Sequence, residues 1–187
     1  MRIVGGVWRG RRLVAPAGRA VRPTSDQARE TLFNVLEHGP AFADFALAGA
    51  RVIDLFAGTG ALGLEALSRG AAEAIFIDDA PSALEALRRN IAALDAADRA
   101  RMVMRDATRP GAAPAACGLA LLDPPYRSGL AAPALVGLAT AGWLESGTVA
   151  VVELAKREAF EPPTGFAVAG DRATGAARLV FLKWSGP

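Results

Sequence analysis

Short apolar runs alternate with amphipathic segments along most of the chain, and this alternation predicts its secondary structure. Continuous apolar runs are typical of strands buried in a parallel sheet. They predict strands over residues 52–56, 74–77, 102–104, 119–122 and 148–154. Between these runs, the sequence predicts one helix from the Gly58–Gly63 turn through Ser68, one beginning at Pro81 and one over residues 131–140. Alternating strands and helices favour a mostly parallel, right-handed, doubly wound α/β sheet.

The N-terminal part of the chain departs from this alternation. Residues 2–14 predict a β-hairpin whose Gly5-Gly6 pair allows tight turning, and Pro16 to Pro23 predicts a linker. Thr24 as cap, with Gln27 three residues later, forms a capping-box pattern and predicts a helix to about residue 37. The chain therefore divides into an extension with its linker, residues 1–22, and a main domain, residues 23–187.

The C-terminal part departs as well. Residues 166–169 and 178–184 are apolar segments separated by a turn rich in Gly, Asp and Thr, and they predict an antiparallel hairpin. We therefore expect this hairpin to complete the otherwise parallel sheet.

The composition is that of a globular protein with few residues suited to metal or thiol chemistry. Of 187 residues, 52% are hydrophobic and 21% charged, and no run of 18 apolar residues or signal core occurs. We therefore expect one cytoplasmic protein without a membrane segment. Cys117 is the single cysteine and is predicted to be a core residue, while His38 is the single histidine. We therefore expect no internal disulfide, no His-based triad and no metal site.

The net charge of +2 conceals an asymmetry. The first 30 residues carry seven arginines against two acids, a net charge of +5, so the remaining residues carry −3. Arginines and a tryptophan on a small ribbon suit a phosphate backbone and a stacked base. A solvated edge that discourages aggregation is the alternative interpretation. The candidate RNA contacts are Arg2, Trp8, Arg9, Arg11, Arg12, Arg22 and Arg29.

A glycine-rich turn follows the first strand of the predicted sheet. Residues 58–63 match G-x-G-x-x-G, which is also the fingerprint of NAD(P)-binding folds. Asp78 lies at the end of the next strand, where an acid binds a cofactor ribose in either class. Asp54 favours S-adenosylmethionine, because a carboxylate suits its cationic sulfonium and would repel a pyrophosphate. Asp106, after the third strand, is placed to accept a hydrogen bond from an adenine amine, although any one of these acids alone is typical of a turn cap.

Asp123-Pro124-Pro125-Tyr126 follows the fourth strand of the predicted sheet. The prolines have no N–H, so backbone carbonyls and the Asp123 carboxylate form a group of acceptors at the ligand-binding edge of the sheet. Such a group suits an exocyclic –NH₂, and Tyr126 offers a ring on which a base stacks, a contact of about 1–3 kcal/mol. A simple strand end followed by a Pro-Pro turn is the alternative for this motif alone.

Together these segments resemble the bacterial small-subunit (16S) ribosomal RNA guanine-N2 methyltransferase family, the RsmD type. The resemblance rests on residues 2–10, 22–24, 29–33, 54–69 and 123–126. It implies a class I S-adenosylmethionine-dependent methyltransferase fold, Rossmann-like with a seven-stranded sheet, and an N-terminal extension. It also implies methylation of guanine N2 in 16S rRNA of an assembled or assembling small ribosomal subunit. We expect the protein to be a monomer.

The resemblance also assigns residues to roles. Asp123 to Tyr126 would hold the guanine. The cofactor, S-adenosyl-L-methionine, would contact Asp54, Phe56, Ala57, Gly58, Thr59, Gly60, Asp78, Asp79, Asp106 and Ala107. Asp78 stands where relatives often have Glu, and the tail after Phe160 matches only loosely.

Three alternatives remain open from the residues alone. Asp-Pro-Pro-Tyr also serves methylation of adenine N6 and cytosine N4, so guanine rests on the family resemblance. An NAD(P)-dependent oxidoreductase with a basic arm fits the glycine turn. A non-catalytic RNA-binding or assembly factor fits the basic extension.

Overall fold

The computed structural model of the chain describes residues 1–15 and 25–186. Seven strands form one sheet in the order β3-β2-β1-β4-β5-β7-β6. The first five strands along the chain are parallel, and β7 runs antiparallel between β5 and β6. The strands are β1 (Arg51–Leu55), β2 (Glu73–Asp78), β3 (Ala100–Met104), β4 (Cys117–Leu122), β5 (Leu144–Ala155), β6 (Phe166–Thr174) and β7 (Ala177–Trp184).

The four α-helices of the described residues lie on both faces of this sheet, so the predicted doubly wound α/β fold is confirmed. They are α1 (Asp26–His38), α2 (Ala61–Ser68), α3 (Pro81–Ala93) and α4 (Ala131–Thr140). Side chains of α1, α2 and α3 pack with Leu121 and Val151 on one face of the sheet, and α4 packs with Leu122 and Val152 on the other. Because both faces are covered, β4 and β5 read as continuous apolar runs rather than as an alternating pattern.

The segment 1–14, which we call the N-terminal segment, is not the regular hairpin that the sequence predicts. Its two arms are joined by a single antiparallel bridge between Arg2 and Arg12, and residues 6–8 form a 3₁₀ turn instead of a strand. Gly6 adopts a φ of +71°, which suits glycine. Ile3 is fully buried in the same core as α1 and α2. The N-terminal segment therefore packs onto the main domain and shares its hydrophobic core.

Helix α1 begins one residue later than the capping box predicts. Ser25 is the N-cap, and its hydroxyl accepts a hydrogen bond from the backbone N–H of Ala28 at 3.0 Å. Thr24 and the predicted linker from Pro16 to Pro23 lie outside the described residues. Across residues 1–15 and 25–186, no helix is both long enough and apolar enough to cross a membrane.

Candidate active site at the carboxyl edge of the sheet

The ends of four parallel strands bring the predicted site residues to one edge of the sheet. Leu55 at the end of β1 is in register with Leu122 of β4 and with Ile77 of β2, and Asp78 is in register with Met104 of β3. The backbone N–H of Asp123 points to the carbonyl of Leu55, with an N–O distance of 3.4 Å. The glycine-rich turn after β1 and the Asp-Pro-Pro-Tyr segment after β4 are therefore neighbours.

The glycine-rich turn is a compact backbone structure. Phe56, two residues before Gly58, has a φ of +58°. A bulky residue adopts this left-handed conformation at a cost of about 1–3 kcal/mol. Gly60 has a φ of +78°, and a Cβ at this position would lie 2.3 Å from the Leu87 side chain. A Cβ on Gly63 would lie 2.4 Å from the Phe76 ring. Gly60 and Gly63 are thus required for close approach of α2 to β2 and α3.

Asp54 supports this turn from inside the protein. Its carboxylate is 1% exposed and accepts a hydrogen bond from the backbone N–H of Gly63, in the first turn of α2, at 2.8 Å. Burial raises the pKa of the Asp54 carboxyl well above its ordinary value, and the charges of Asp123 and Asp78 add to the rise, while the Gly63 hydrogen bond opposes it. This geometry does not support the predicted direct contact of Asp54 with a cofactor. Because Asp54 is buried, it supports the turn from inside the protein instead.

Asp78 holds the turn from the neighbouring strand. One carboxylate oxygen accepts from the N–H of Gly58 at 2.8 Å, and the other accepts from the N–H of Ala80 at 2.9 Å. Asp78 is half-buried and ends β2 at the edge where a ribose was predicted. Asp79, the next residue, is exposed.

Asp106 follows β3 on the outer side of the same edge. Its carboxylate is exposed and accepts from both the backbone N–H and the hydroxyl of Thr108 at 2.8 Å. These two hydrogen bonds lower the pKa of Asp106 below its ordinary value. Ala107 is buried.

The Asp-Pro-Pro-Tyr segment presents a half-buried Asp123 beside a partly exposed aromatic ring. Pro124 is buried and Pro125 exposed, and the Tyr126 side chain is 38% exposed. The Tyr126 hydroxyl donates to a carboxylate oxygen of Glu153, on β5, at 2.9 Å. This contact holds the hydroxyl end of the ring against β5.

Four of the predicted RNA contacts are exposed arginines of the N-terminal segment. Arg9 and Arg12 are exposed, as is Arg2, which pairs with Asp26 at 3.1 Å. Arg11 is exposed and donates to the carbonyl of Ala93, in the last turn of α3. These four arginines remain candidates for RNA contact.

Of the remaining predicted RNA contacts, one needs correction, one is half-buried and one lies outside the described residues. Arg29 is fully buried, because it lies on the apolar face of α1, and it pairs with Asp26 at 2.6 Å. The Trp8 ring is half-buried against the core, with the Arg99 guanidinium 5.1 Å from its centroid. The buried Arg29 side chain offers no surface for an RNA contact, whereas the RNA contact of the half-buried Trp8 stays a prediction. Arg22 falls in the part of the chain that is not described.

Three buried polar residues near the site were missed from the sequence. Glu65 is fully buried and accepts from the N–H groups of Val4 and Gly5. Asn90 is 1% exposed and Glu153 is 3% exposed. Each interrupts an otherwise apolar run or helix face, and that interruption is the signal that the sequence offers.

A separate cleft of about 670 Å³ lies at the opposite edge of the sheet, around the first residues of β1 and the N-terminal part of β5. Its lining includes Arg51, Gly118 and Thr148, which are far along the strands from the acids described above. Since open α/β sheets bind their ligands at the carboxyl ends of the strands, we assign the site by the strand ends and not by this cleft.

Comparison with known proteins identifies the family. Residues 1–183 match the model of the family described as "Conserved hypothetical protein 95". The Escherichia coli protein named "Ribosomal RNA small subunit methyltransferase D" is 42% identical over 154 residues, which cover 82% of this chain and 74% of the relative. The chain belongs to the RsmD-type methyltransferase family. The predicted resemblance is therefore confirmed.

Solved structures support the same assignment for the fold of this RsmD-type chain. The Escherichia coli protein yhhF superimposes with a TM-score of 0.83 at 33% identity, covering 100% of this chain and 99% of its own. The Thermus thermophilus 16S rRNA N2 methyltransferase RsmC, in complex with AdoMet and guanosine, matches with a TM-score of 0.64 at 18% identity, covering 88% of this chain and 44% of its own. The second likeness concerns the fold alone. The RsmD-type chain has the class I methyltransferase fold, as predicted.

Cys117 has the structural role that the sequence predicts. It is fully buried at the start of β4, and burial raises the pKa of its thiol to about 12. A thiol with so high a pKa stays protonated at neutral pH and is a poor nucleophile. In the RsmD-type chain it is a core residue.

Proposed function

We propose that this chain transfers a methyl group from S-adenosylmethionine to the N2 amine of a guanine in small-subunit ribosomal RNA. The observation that carries the proposal is the contact between the two loops, where Asp123 joins the end of β1 beside the glycine-rich turn. Membership of the RsmD-type family supports the reaction, and the name of the Escherichia coli relative, a ribosomal RNA small subunit methyltransferase, supports the substrate.

The acids at the glycine-rich turn favour S-adenosylmethionine over NAD(P). A dinucleotide fold offers the N–H groups of this turn and the following helix to a pyrophosphate. Here the carboxylate of Asp78 already accepts from Gly58, and that of Asp54 accepts from Gly63. The carboxylate of Asp78 would also repel a pyrophosphate. A cationic ligand with ribose hydroxyls fits this arrangement, with Asp78 as the residue placed to hold the ribose.

When bound, S-adenosylmethionine supplies an electrophilic methyl group, and the residues of the chain supply position. The Asp123 carboxylate and the Pro124 carbonyl accept hydrogen bonds from the guanine amine and direct its nitrogen toward the cofactor side of the edge. Tyr126 stacks against the base, which is flipped out of its RNA context. Catalysis then rests on orientation and on fixed acceptors rather than on a strong base, because the amine can lose its proton after the transfer.

The RNA is proposed to meet the N-terminal segment beside this edge. Arg9 and Arg12 are exposed and belong to the basic part of the chain. We place the substrate in an assembled or assembling small subunit, the enzyme in the cytoplasm with the ribosome, and the active form as a monomer. Guanine is the proposed base because of the family, whereas Asp-Pro-Pro-Tyr alone also fits adenine N6.

Mass spectrometry of rRNA nucleosides tests the proposal. Small subunits from a strain lacking this enzyme are incubated with the protein and S-adenosylmethionine carrying a trideuterated methyl group. We expect the label in N2-methylguanosine, and none with an Asp123→Ala variant. Label in N6-methyladenosine would contradict the base, and absence of label with any small-subunit substrate would contradict the reaction.

A further inference from the structure

A buried amide joins the N-terminal segment to the glycine-rich turn. Asn90 lies on the apolar face of α3, one turn beyond Leu87, and is 1% exposed. Its Oδ1 accepts from the backbone N–H of Val14 at 2.7 Å, and its Nδ2 donates to the carbonyl of Val14 at 3.0 Å. The same Nδ2 donates to the carbonyl of Thr59 at 2.9 Å. The amide thus connects the last part of the N-terminal segment with the centre of the turn.

A second contact joins the other end of the N-terminal segment to the same residue. The Thr59 hydroxyl lies 3.7 Å from the sulfur of Met1, and Thr59 itself is 8% exposed. Thr59 stands between Gly58 and Gly60, the two residues whose positive φ angles shape the turn. Both ends of the N-terminal segment therefore contact the turn, and the Asn90 contact uses all three hydrogen-bonding groups of the amide.

The middle of the N-terminal segment is held elsewhere, on α2. Glu65 accepts from the N–H groups of Val4 and Gly5 at 2.8 Å and 2.7 Å. The Ser68 hydroxyl accepts from Trp8 N–H at 2.9 Å and donates to the Gly5 carbonyl at 2.6 Å. Glu65 and Ser68 lie in the second half of α2, away from the turn residues, so they hold the segment without contacting Thr59.

We propose that Asn90 is a positioning residue through which docking of the N-terminal segment and binding of the methyl donor at the turn reinforce each other. The inference rests on the proposed function, which places RNA on the N-terminal segment and S-adenosylmethionine at the turn. A buried amide satisfies its donors only when Val14 and Thr59 are both in place, so a shift of one removes support from the other. Thermodynamic linkage then requires that each ligand strengthen the binding of the other by the same factor.

Substitutions at Asn90 and at Ser68 separate this role from ordinary packing. Asn90→Ala removes the whole amide. Asn90→Asp keeps the size of the side chain and an acceptor for Val14 but loses both donated hydrogen bonds, and it replaces Asn90→Ala if that variant folds poorly. Ser68→Ala is the matched control, because it removes two partly buried hydrogen bonds to the N-terminal segment and touches no residue of the turn.

Amide hydrogen exchange of the unliganded full chain gives a readout that does not depend on the cofactor. We expect Asn90→Asp to speed exchange at Val14 and at the N–H of Gly60, which donates to the Ala57 carbonyl within the turn. Ser68→Ala should speed exchange at Trp8 and leave Gly60 unchanged. Faster exchange at Val14 alone in the Asn90 variants would overturn the coupling.

Calorimetry with S-adenosylhomocysteine, with and without small ribosomal subunits, measures the coupling itself. We expect the subunits to tighten its binding to the wild-type chain by at least about fivefold, the lower end of typical couplings. Asn90→Asp should remove this enhancement, whereas Ser68→Ala should retain it. An enhancement that survives in Asn90→Asp would overturn the inference. Failure of the wild-type chain to bind S-adenosylhomocysteine at all would instead contradict the proposed function, and the exchange experiment would still decide the role of Asn90.

Discussion

The two loops that form the candidate site use opposite backbone chemistry at the same edge of one sheet. The glycine-rich turn is rich in N–H groups, and buried or half-buried carboxylates of Asp54 and Asp78 accept from Gly63 and Gly58. The segment after β4 carries two consecutive prolines and so presents carbonyls without the matching donors. Two N–H groups of the first loop are thereby occupied by carboxylates, and the second loop has no N–H at either proline. The comparison explains why a G-x-G-x-x-G pattern need not indicate a dinucleotide.

The largest expected effect comes from removing the acid of the acceptor-rich loop. Asp123→Ala should lower methyl transfer by at least about 100-fold, as loss of a fixed electrostatic contact typically does. Binding of S-adenosylhomocysteine, measured by calorimetry, should change little, because the glycine-rich turn is intact. Asp44→Ala, an exposed acid at the opposite edge of the sheet, is the control. Near-normal turnover of Asp123→Ala would remove this residue from the proposed site.

The donor-rich loop can be tested through its glycines. Gly60→Ala should lower the free energy of unfolding by roughly 1–3 kcal/mol more than Gly58→Ala, because its new Cβ meets the buried Leu87. Both positions have positive φ, but a Cβ on Gly58 has no neighbour nearer than 3.9 Å. Urea unfolding measures the difference. Equal costs at the two positions would show that close packing does not shape the turn.

The buried carboxylate of the same loop predicts a pH dependence. The pKa of Asp54 is raised in the folded chain, so folding takes up a proton at pH values between the unfolded and folded pKa. The contribution of Asp54 to the free energy of unfolding therefore falls as the pH rises through this window. An asparagine side chain does not ionise, so the Asp54→Asn variant lacks this fall. The stability of the variant relative to wild type should therefore increase with pH across that window. Urea unfolding across a pH series checks it.

Asp106→Asn is the opposite control for that series. The pKa of Asp106 is lowered in the folded chain, so its contribution is present above the unfolded pKa and is lost as the pH falls through the folded value. The two variants should therefore deviate from wild type with slopes of opposite sign. A flat difference for Asp54→Asn would mean that its carboxyl is not perturbed by burial.

The smallest effect is expected outside both loops. Replacing Arg9 and Arg12 by Ala should reduce the slope of log binding constant against log salt by about 1–2 for rRNA binding, because each exposed arginine that meets a phosphate contributes about 0.7–0.9. Filter binding of rRNA at several salt concentrations measures it. Arg88 and Arg89 pair with Glu85, and their double Ala variant serves as the control. An unchanged slope would exclude the N-terminal arginines from the RNA interface.

The sequence predicted the strands, helices and edge of the sheet well because these follow from local periodicity. Leu84, Leu87 and Ile91 of α3 are buried as their spacing predicts, and so is Leu94 directly after the helix. Asp54, Asp78, Asp106 and Asp123 follow or end strands, and the parallel register brings them to one edge. Their position was therefore predictable, whereas the buried, turn-supporting role of Asp54 depends on the path of α2 and was not.

The N-terminal segment was predicted less well because its structure depends on distant partners. Its expected strands give way to a 3₁₀ turn whose flanking N–H groups are satisfied by Glu65 and Ser68, about 60 residues away in the sequence. No local pattern shows such pairing. Arg29 is different, since it lies three and four residues before Leu32 and Phe33 on one helix face, and its burial could have been inferred from that spacing.

The most direct test of the account is a crystal structure of the chain with S-adenosylmethionine and guanosine. We expect the donor to lie against the glycine-rich turn and the base to stack on Tyr126, with the methyl carbon about 3–3.5 Å from the guanine N2, a reactive geometry. Guanosine bound away from residues 123–126, for example in the cleft around Arg51 and Thr148, would contradict the central claim that the two loops form one methyl-transfer site.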